Sequence, residues 1–251
     1  MSEPQAGETV RAERRGDGGR VALVTIDRPE RRNALDHATL DALLAALRDA
    51  ADARVVVLTG AGGHFCAGAD LSTVEDRGFT GRLRQVLDSL CDASQPVIAA
   101  VTGAALGAGT QLAVACDAIV ATPDAKFGIP AAKLGLMVDH WTVQRLATVA
   151  GHGPARAMLL TAEVLDGASL HRTGMVTRIG DVDDALAWAD DIAALAPLTL
   201  AGHKLMLNRL ERDLGDDHDV DAAYRRAWSS GDLQEGQAAF RERRAPVFRG
   251  E

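Results

Sequence analysis

"PVIAAVTGAALGAGTQLAVACDAIVAT", residues 96–122, is the stretch on which the fold turns. VIAAV (97–101) and AIVAT (118–122) are short apolar runs of strand length. Between them glycine and alanine run into a second apolar segment, the pattern of a tight loop opening into a buried helix. The start of that helix, GAGTQLAVACD (107–117), presents unpaired backbone N–H groups and the positive end of a dipole. Such a place suits an anion or a polarised carbonyl. The polar side chains on its first turn belong to Thr110 and Gln111, and neither takes up a proton near neutral pH. Something is held here with no acid or base beside it.

Outward from this stretch the same alternation continues. VALVTI (21–26) and VVVLT (55–59) read as strands, while Leu40, Leu43, Leu44 and Leu47 mark one face of a helix. Residues 74–93 read as a further helix. Strands alternating with helices define an α/β fold with a largely parallel sheet. After about residue 182 the pattern becomes helical throughout. Three parts are expected: a flexible leader (1–20), an α/β core (21–195) and a helical C-terminal part (196–251). No internal repeat is visible.

Apolar residues make up 47% of the chain but aromatics only 4%, so alanine, valine and leucine must fill the core. The net charge of −8 argues against nucleic acid or an anionic membrane as the main partner. Cys66, Cys91 and Cys116 are widely spaced, which fits a reduced compartment and offers neither a disulfide framework nor a zinc site. With no signal-peptide pattern and no apolar run of membrane length, a soluble cytoplasmic protein is expected.

Two glycine-rich loops, 60–68 and 103–109, each follow a strand. Neither has the lysine and hydroxyl of a P-loop, and neither reads G-x-G-x-x-G. No G-x-S-x-G elbow supports a serine hydrolase. The residues around the loops carry more. HFCAGADLS (64–72), preceded by VVVLTGAG and followed by the 96–122 stretch, resembles the enoyl-CoA hydratase/isomerase (crotonase) family. The likeness runs from VTIDRPERRNAL through TPDAKFGIPAAKLGLMVDHWTVQRL to the end of the chain. In detail it is to actinobacterial hydratase-like members whose two catalytic glutamates are replaced.

The resemblance implies a spiral of ββα units followed by a helical trimerisation region, in a homotrimer or a hexamer built as a dimer of trimers. It implies an acyl-CoA ligand and no permanently bound cofactor. Two loop N–H groups, at Ala69 and Ala108, would form an oxyanion hole for the thioester carbonyl. Family hydratases carry one glutamate where this chain has Gln111 and a second where it has Ala131. Conventional hydration is therefore not expected, since water activation and proton delivery need groups that change protonation. An acyl-CoA-binding role in fatty-acid or lipid metabolism follows, with lipid-synthesis proteins as possible partners.

A rival reading rests on Asp139, which stands where dienoyl-CoA isomerases of the family carry a catalytic aspartate. Asp139 is equally well placed to cap the helix beginning at HWTVQRL. A third reading is hydration by an unconventional acid or base. His140 and Trp141 are expected to shape the acyl pocket. By resemblance, CoA contacts fall on Arg28, Arg32 and Ala34 in RPERRNAL, on Ala67 and Asp70 in the first glycine loop, and on Phe240 and Arg243 in AAFRERRAPVF. The last two are expected at the CoA of a neighbouring subunit.

Overall fold

The computed structural model describes residues 9–70, 77–212, 225, 228–244 and 246–247. Its main sheet has six strands: β1 (Val10–Arg15), β2 (Val21–Ile26), β3 (Val55–Gly60), β4 (Val97–Val101), β6 (Ala118–Ala121) and β9 (Arg178–Ile179), in the spatial order β1-β2-β3-β4-β6-β9. The pairs from β2 to β9 are parallel, and β1 joins β2 antiparallel. A smaller sheet pairs β5 (Ala104–Leu106) with β7 (Lys126–Gly128) in parallel, and β7 with β8 (Leu165–Asp166) antiparallel.

The inner strands β2, β3 and β4 are buried on both faces, which is why they read as near-continuous apolar runs. On one face Val24, Leu58 and Val101 meet Leu40 and Leu43 of α1 (His37–Asp49) and Leu87 and Leu90 of α2 (Arg77–Asp92). On the other, Val21, Val55 and Ile98 meet α7 (Val182–Ala193) through Ala185, Ala189 and Ala193. Their four-residue spacing makes a flat stripe along one face of the helix.

The expected flexible leader needs correction over residues 10–15. This segment is a full strand, registered from Val10 opposite Ile26 to Arg15 opposite Val21. The reason lies in β2, every residue of which is buried, so its outer row of backbone N–H and C=O groups needs a partner. Arginines on the new edge pair with carboxylates, as in Arg11 to Asp27 at 2.8 Å, and charge the edge against further pairing.

Strand–strand–helix units recur, in β4–β5–α3 (Ala108–Ala115) and in β6–β7–α4 (His140–Ala150). In the unit beginning with β3 the second strand shrinks to Cys66, which bridges Ala105. Further helices among the described residues are α5 (His152–Leu160), α6 (Gly167–Thr173), α8 (Pro197–Arg212) and α9 (Gly231–Glu242). A buried lysine ties α8 to the core: Lys204 Nζ donates to Leu90 O at 3.0 Å and Gln95 O at 3.1 Å, and lies 2.7 Å from Asp117 Oδ2. No single described helix is long and apolar enough to cross a membrane.

Candidate active site

Two loops are zipped together to make the site. Cys66 N–H donates to Ala104 O at 2.8 Å, and Leu106 N–H donates back to Cys66 O at 2.9 Å. On its other side the first loop is held to residues 32–35, through Leu35 N–H to Gly68 O at 2.8 Å and Asp70 N–H to Leu35 O at 2.7 Å. Glycine is required for the closeness. Gly68 has φ +111°, and a Cβ there would stand 3.0 Å from Leu106 O and 3.9 Å from Ala108 N. A Cβ on Gly109 would stand 2.1 Å from Cys66 O.

This zipper consumes the neighbouring amides and spares those of Ala69 and Ala108. Neither N–H takes part in a backbone hydrogen bond among the described residues. Ala108 is the first residue of α3, where a helical N–H has no partner within the helix. Both residues line one cavity of about 740 Å³.

Gln111, Ala131 and Asp139 line the same cavity, so tertiary structure brings together three residues far apart in sequence. Asp139 caps α4: its Oδ1 accepts Thr142 N–H at 3.0 Å and also the Thr142 hydroxyl. Thr142 Oγ1 in turn lies 3.2 Å from the Gln111 amide. Arg84 from α2 reaches into the wall, 3.8 Å from Asp139 Oδ2, with its guanidinium carbon 4.5 Å from the centre of the Trp141 ring. Trp141 thus packs behind the wall. Neither it nor His140 is among the residues lining the cavity, contrary to the expected pocket-shaping role.

The expected CoA contacts divide. Ala34, Ala67, Asp70 and Phe240 line the cavity, whereas Arg28, Arg32 and Arg243 do not. Arg28 is an internal brace, 2.9 Å from Asp36 and 3.7 Å from Asp70, and it donates to Ala34 O. Burial works against ionisation of Asp36, but hydrogen bonds from Thr39 and the nearby Arg28 prevail and lower its pKa. Arg32 is exposed in a left-handed turn, and its carbonyl accepts Ala67 N–H at 2.9 Å. The arginines that do reach the wall, besides Arg84, are Arg31 and Arg241. Arg241 shares a face of α9 with Gln237 one turn earlier, and both line the cavity. Arg243 lies beyond the last turn of α9.

Phe240 lines the cavity of its own chain, at which α9 packs. The helix rests on the turn Pro130–Leu134 at backbone contact: a Cβ on Gly236 would lie 2.2 Å from Leu134 O, and one on Gly135 2.3 Å from Asp232 O. Trp228 Nε1 donates to Met137 O at 2.9 Å just ahead of it. Beneath the first loop, burial pushes the Cys66 thiol up to about 12, so it stays protonated and unreactive at neutral pH.

Two loop amides without a backbone partner among the described residues thus border one cavity. Comparison with known proteins agrees with the sequence resemblance. The family model for enoyl-CoA hydratase/isomerase matches residues 16–251, and the chain belongs to that family, the crotonases. The probable enoyl-CoA hydratase echA6 of Mycobacterium tuberculosis is 43% identical over 240 residues, covering 92% of this chain and 96% of the relative. The 2,3-dehydroadipyl-CoA hydratase of Escherichia coli is 34% identical over 247 residues, covering 92% and 96%. Among solved structures, methylmalonyl-CoA decarboxylase in complex with 2-nitronate-propionyl-CoA superposes with a TM-score of 0.90 at 25% identity, covering 98% of this chain and 100% of that one.

Proposed function

We propose that this protein binds acyl-CoA with the thioester oxygen between the N–H groups of Ala69 and Ala108, and that it lacks conventional hydratase chemistry. The observation carrying this reading is the pair of unspent amides in a cavity whose wall has Gln111 and Ala131 where family hydratases place glutamates. Names of relatives that act on CoA thioesters support the ligand class. Arg31 and Arg241 at the wall suit CoA phosphates. Isotope-edited infrared spectroscopy of a ¹³C-labelled thioester tests it. The bound carbonyl stretch should fall in frequency. Ala108→Pro, which removes one donor at a helix position where proline is tolerated, should reverse much of that fall and weaken binding about tenfold. An unshifted carbonyl in the wild-type complex refutes the reading.

Isomerase action through Asp139 has one observation in its favour, the position of Asp139 in the cavity wall. Against it, Oδ1 already accepts two hydrogen bonds from Thr142. We expect no double-bond shift in dienoyl-CoA, and a loss of only a few tenths of a kcal/mol in stability on Asp139→Asn, since asparagine caps nearly as well. Turnover of dienoyl-CoA that Asp139→Asn abolishes would establish the rival.

Helix α8 carries Leu198, Leu205, Met206 and Leu207 exposed, with Leu198 at 87%. Exposed apolar side chains in this number call for cover, and a second copy of this chain is the proposed cover, in a trimer or a dimer of trimers. Light scattering at micromolar concentration should give a multiple of three protomer masses, and Leu198→Asp with Leu205→Asp should lower it. A monomeric wild type refutes the assembly.

A further inference from the structure

Each loop of the site is anchored on its outer side to a different part of the molecule. The first is held to residues 32–35, by Ala67 N–H to Arg32 O at 2.9 Å and by the bonds that join Leu35 to Gly68 and Asp70. The second is held to β7, by Gly107 N–H to Gly128 O at 2.8 Å and Lys126 N–H to Gly103 O at 2.7 Å. The gap between the amides of Ala69 and Ala108 is therefore set by the bonds that cross from loop to loop. Three of these join backbone to backbone: Phe65 N–H to Thr102 O and Cys66 N–H to Ala104 O, both at 2.8 Å, and Leu106 N–H to Cys66 O at 2.9 Å. A fourth ends on a side chain, where Ala104 N–H donates to His64 Nδ1 at 3.2 Å.

A backbone N–H can only donate, so Nδ1 presents its lone pair and the imidazole hydrogen sits on Nε2. The ring is seated for this. Its own backbone is fixed by the buried Asn33, whose Nδ2 donates to His64 O at 2.6 Å and to Ala61 O at 2.8 Å. Across the gap glycine makes room, since a Cβ on Gly103 would stand 2.7 Å from Nδ1. His64 and Ala104 are both half-buried, so water can reach the Ala104 N–H once its acceptor is removed. A water admitted there would part the loops at the first residue of β5, four residues before Ala108.

We propose that His64 is a positioning residue that holds the two thioester-binding amides at their working distance, through Ala104. His64 is not among the residues lining the cavity, so it acts on the ligand through the loops and not by contact. The proposal rests on the acyl-CoA reading above and names a residue that sets the geometry of that site.

The test reads the bound carbonyl in the full-length protein, by isotope-edited infrared spectroscopy of ¹³C-labelled decanoyl-CoA alongside calorimetric affinities. His64→Leu, which fills the space but offers no acceptor, should move the bound stretch part of the way back toward that of the free thioester. It should also weaken binding about fivefold. His64→Asn should restore both, because its Oδ1 can stand where Nδ1 stands and accept the same hydrogen. A purely structural role would lower the melting temperature of His64→Leu and leave the bound carbonyl at its wild-type frequency, a result that overturns the proposal. An asparagine variant no better than the leucine one overturns it too. Should His64→Leu not fold, ¹⁵N NMR of the wild-type imidazole in mildly alkaline solution still decides: hydrogen on Nε2 is expected, and hydrogen on Nδ1 refutes the bond from Ala104. These outcomes leave the acyl-CoA reading standing, whereas an unshifted carbonyl in the wild-type complex overturns both.

Discussion

Crotonyl-CoA hydration by this protein is expected to run at least about 10⁴-fold below that of a family member with both glutamates. Each positioned acid or base is worth roughly 10²–10⁴-fold, and here both positions lack one. Gln111 offers an amide pinned through Thr142, and Ala131 offers a methyl group. The proposed amide pair of Ala69 and Ala108 would stabilise an enolate but move no proton. Loss of the enoyl thioester absorbance with time measures the rate. Restoring both carboxylates by Gln111→Glu with Ala131→Glu should recover at least about a hundredfold. The recovery should be incomplete, because a carboxylate at 111 would share Thr142 with Asp139, and like charges this close resist joint ionisation. Robust hydration by the wild type would show that another group supplies the proton transfers.

Lys204→Met is expected to cost about 3–5 kcal/mol of stability. Lys204 is 7% exposed and closes three acceptors, Leu90 O, Gln95 O and Asp117 Oδ2. Its removal strands a buried carboxylate and unties α8. For a chain of this size, a loss of that order lowers Tm by roughly 6–20 °C. The pH dependence has a definite sign. Burial raises the Asp117 pKa above its ordinary value even with Lys204 beside it. A carboxyl with a raised folded pKa contributes stability that is fully present below its unfolded pKa and is lost as pH rises through the folded value. Without the lysine the folded pKa climbs further, so Lys204→Met should approach the wild type in acid and diverge from it toward neutral pH. Adding Asp117→Asn should recover part of the loss, since the amide still accepts from Val97 N–H, now 2.7 Å from Asp117 Oδ2. Denaturant melts across pH measure all three. Equal stability of Lys204→Met and wild type at pH 7 would refute the latch.

The strands 21–26, 55–59, 97–101 and 118–122 were legible because a strand buried on both faces reads as a near-continuous apolar run, a property each displays alone. The missing glutamates were legible for a similar reason: Gln111 and Ala131 sit inside long motifs that fix their places by counting. Residues 10–15 gave no such sign, because VRAERR becomes a strand through the unpaired edge of β2 and not through its own composition. The ββα repeat stayed hidden where its second strand contracts to Cys66, a bridge made by a partner almost forty residues away in Ala105. Among many arginines, only the fold chose Arg31 and Arg241 for the cavity wall and turned Arg28 inward to Asp36 and Asp70. That Asp139 caps α4 became visible only with Thr142 on its Oδ1. Sequence by itself thus determined which segments must be buried and which acids are absent, since burial and identity are local. The direction in which each polar group points was left to tertiary structure, because a hydrogen bond or ion pair is fixed by a partner that the chain brings from elsewhere.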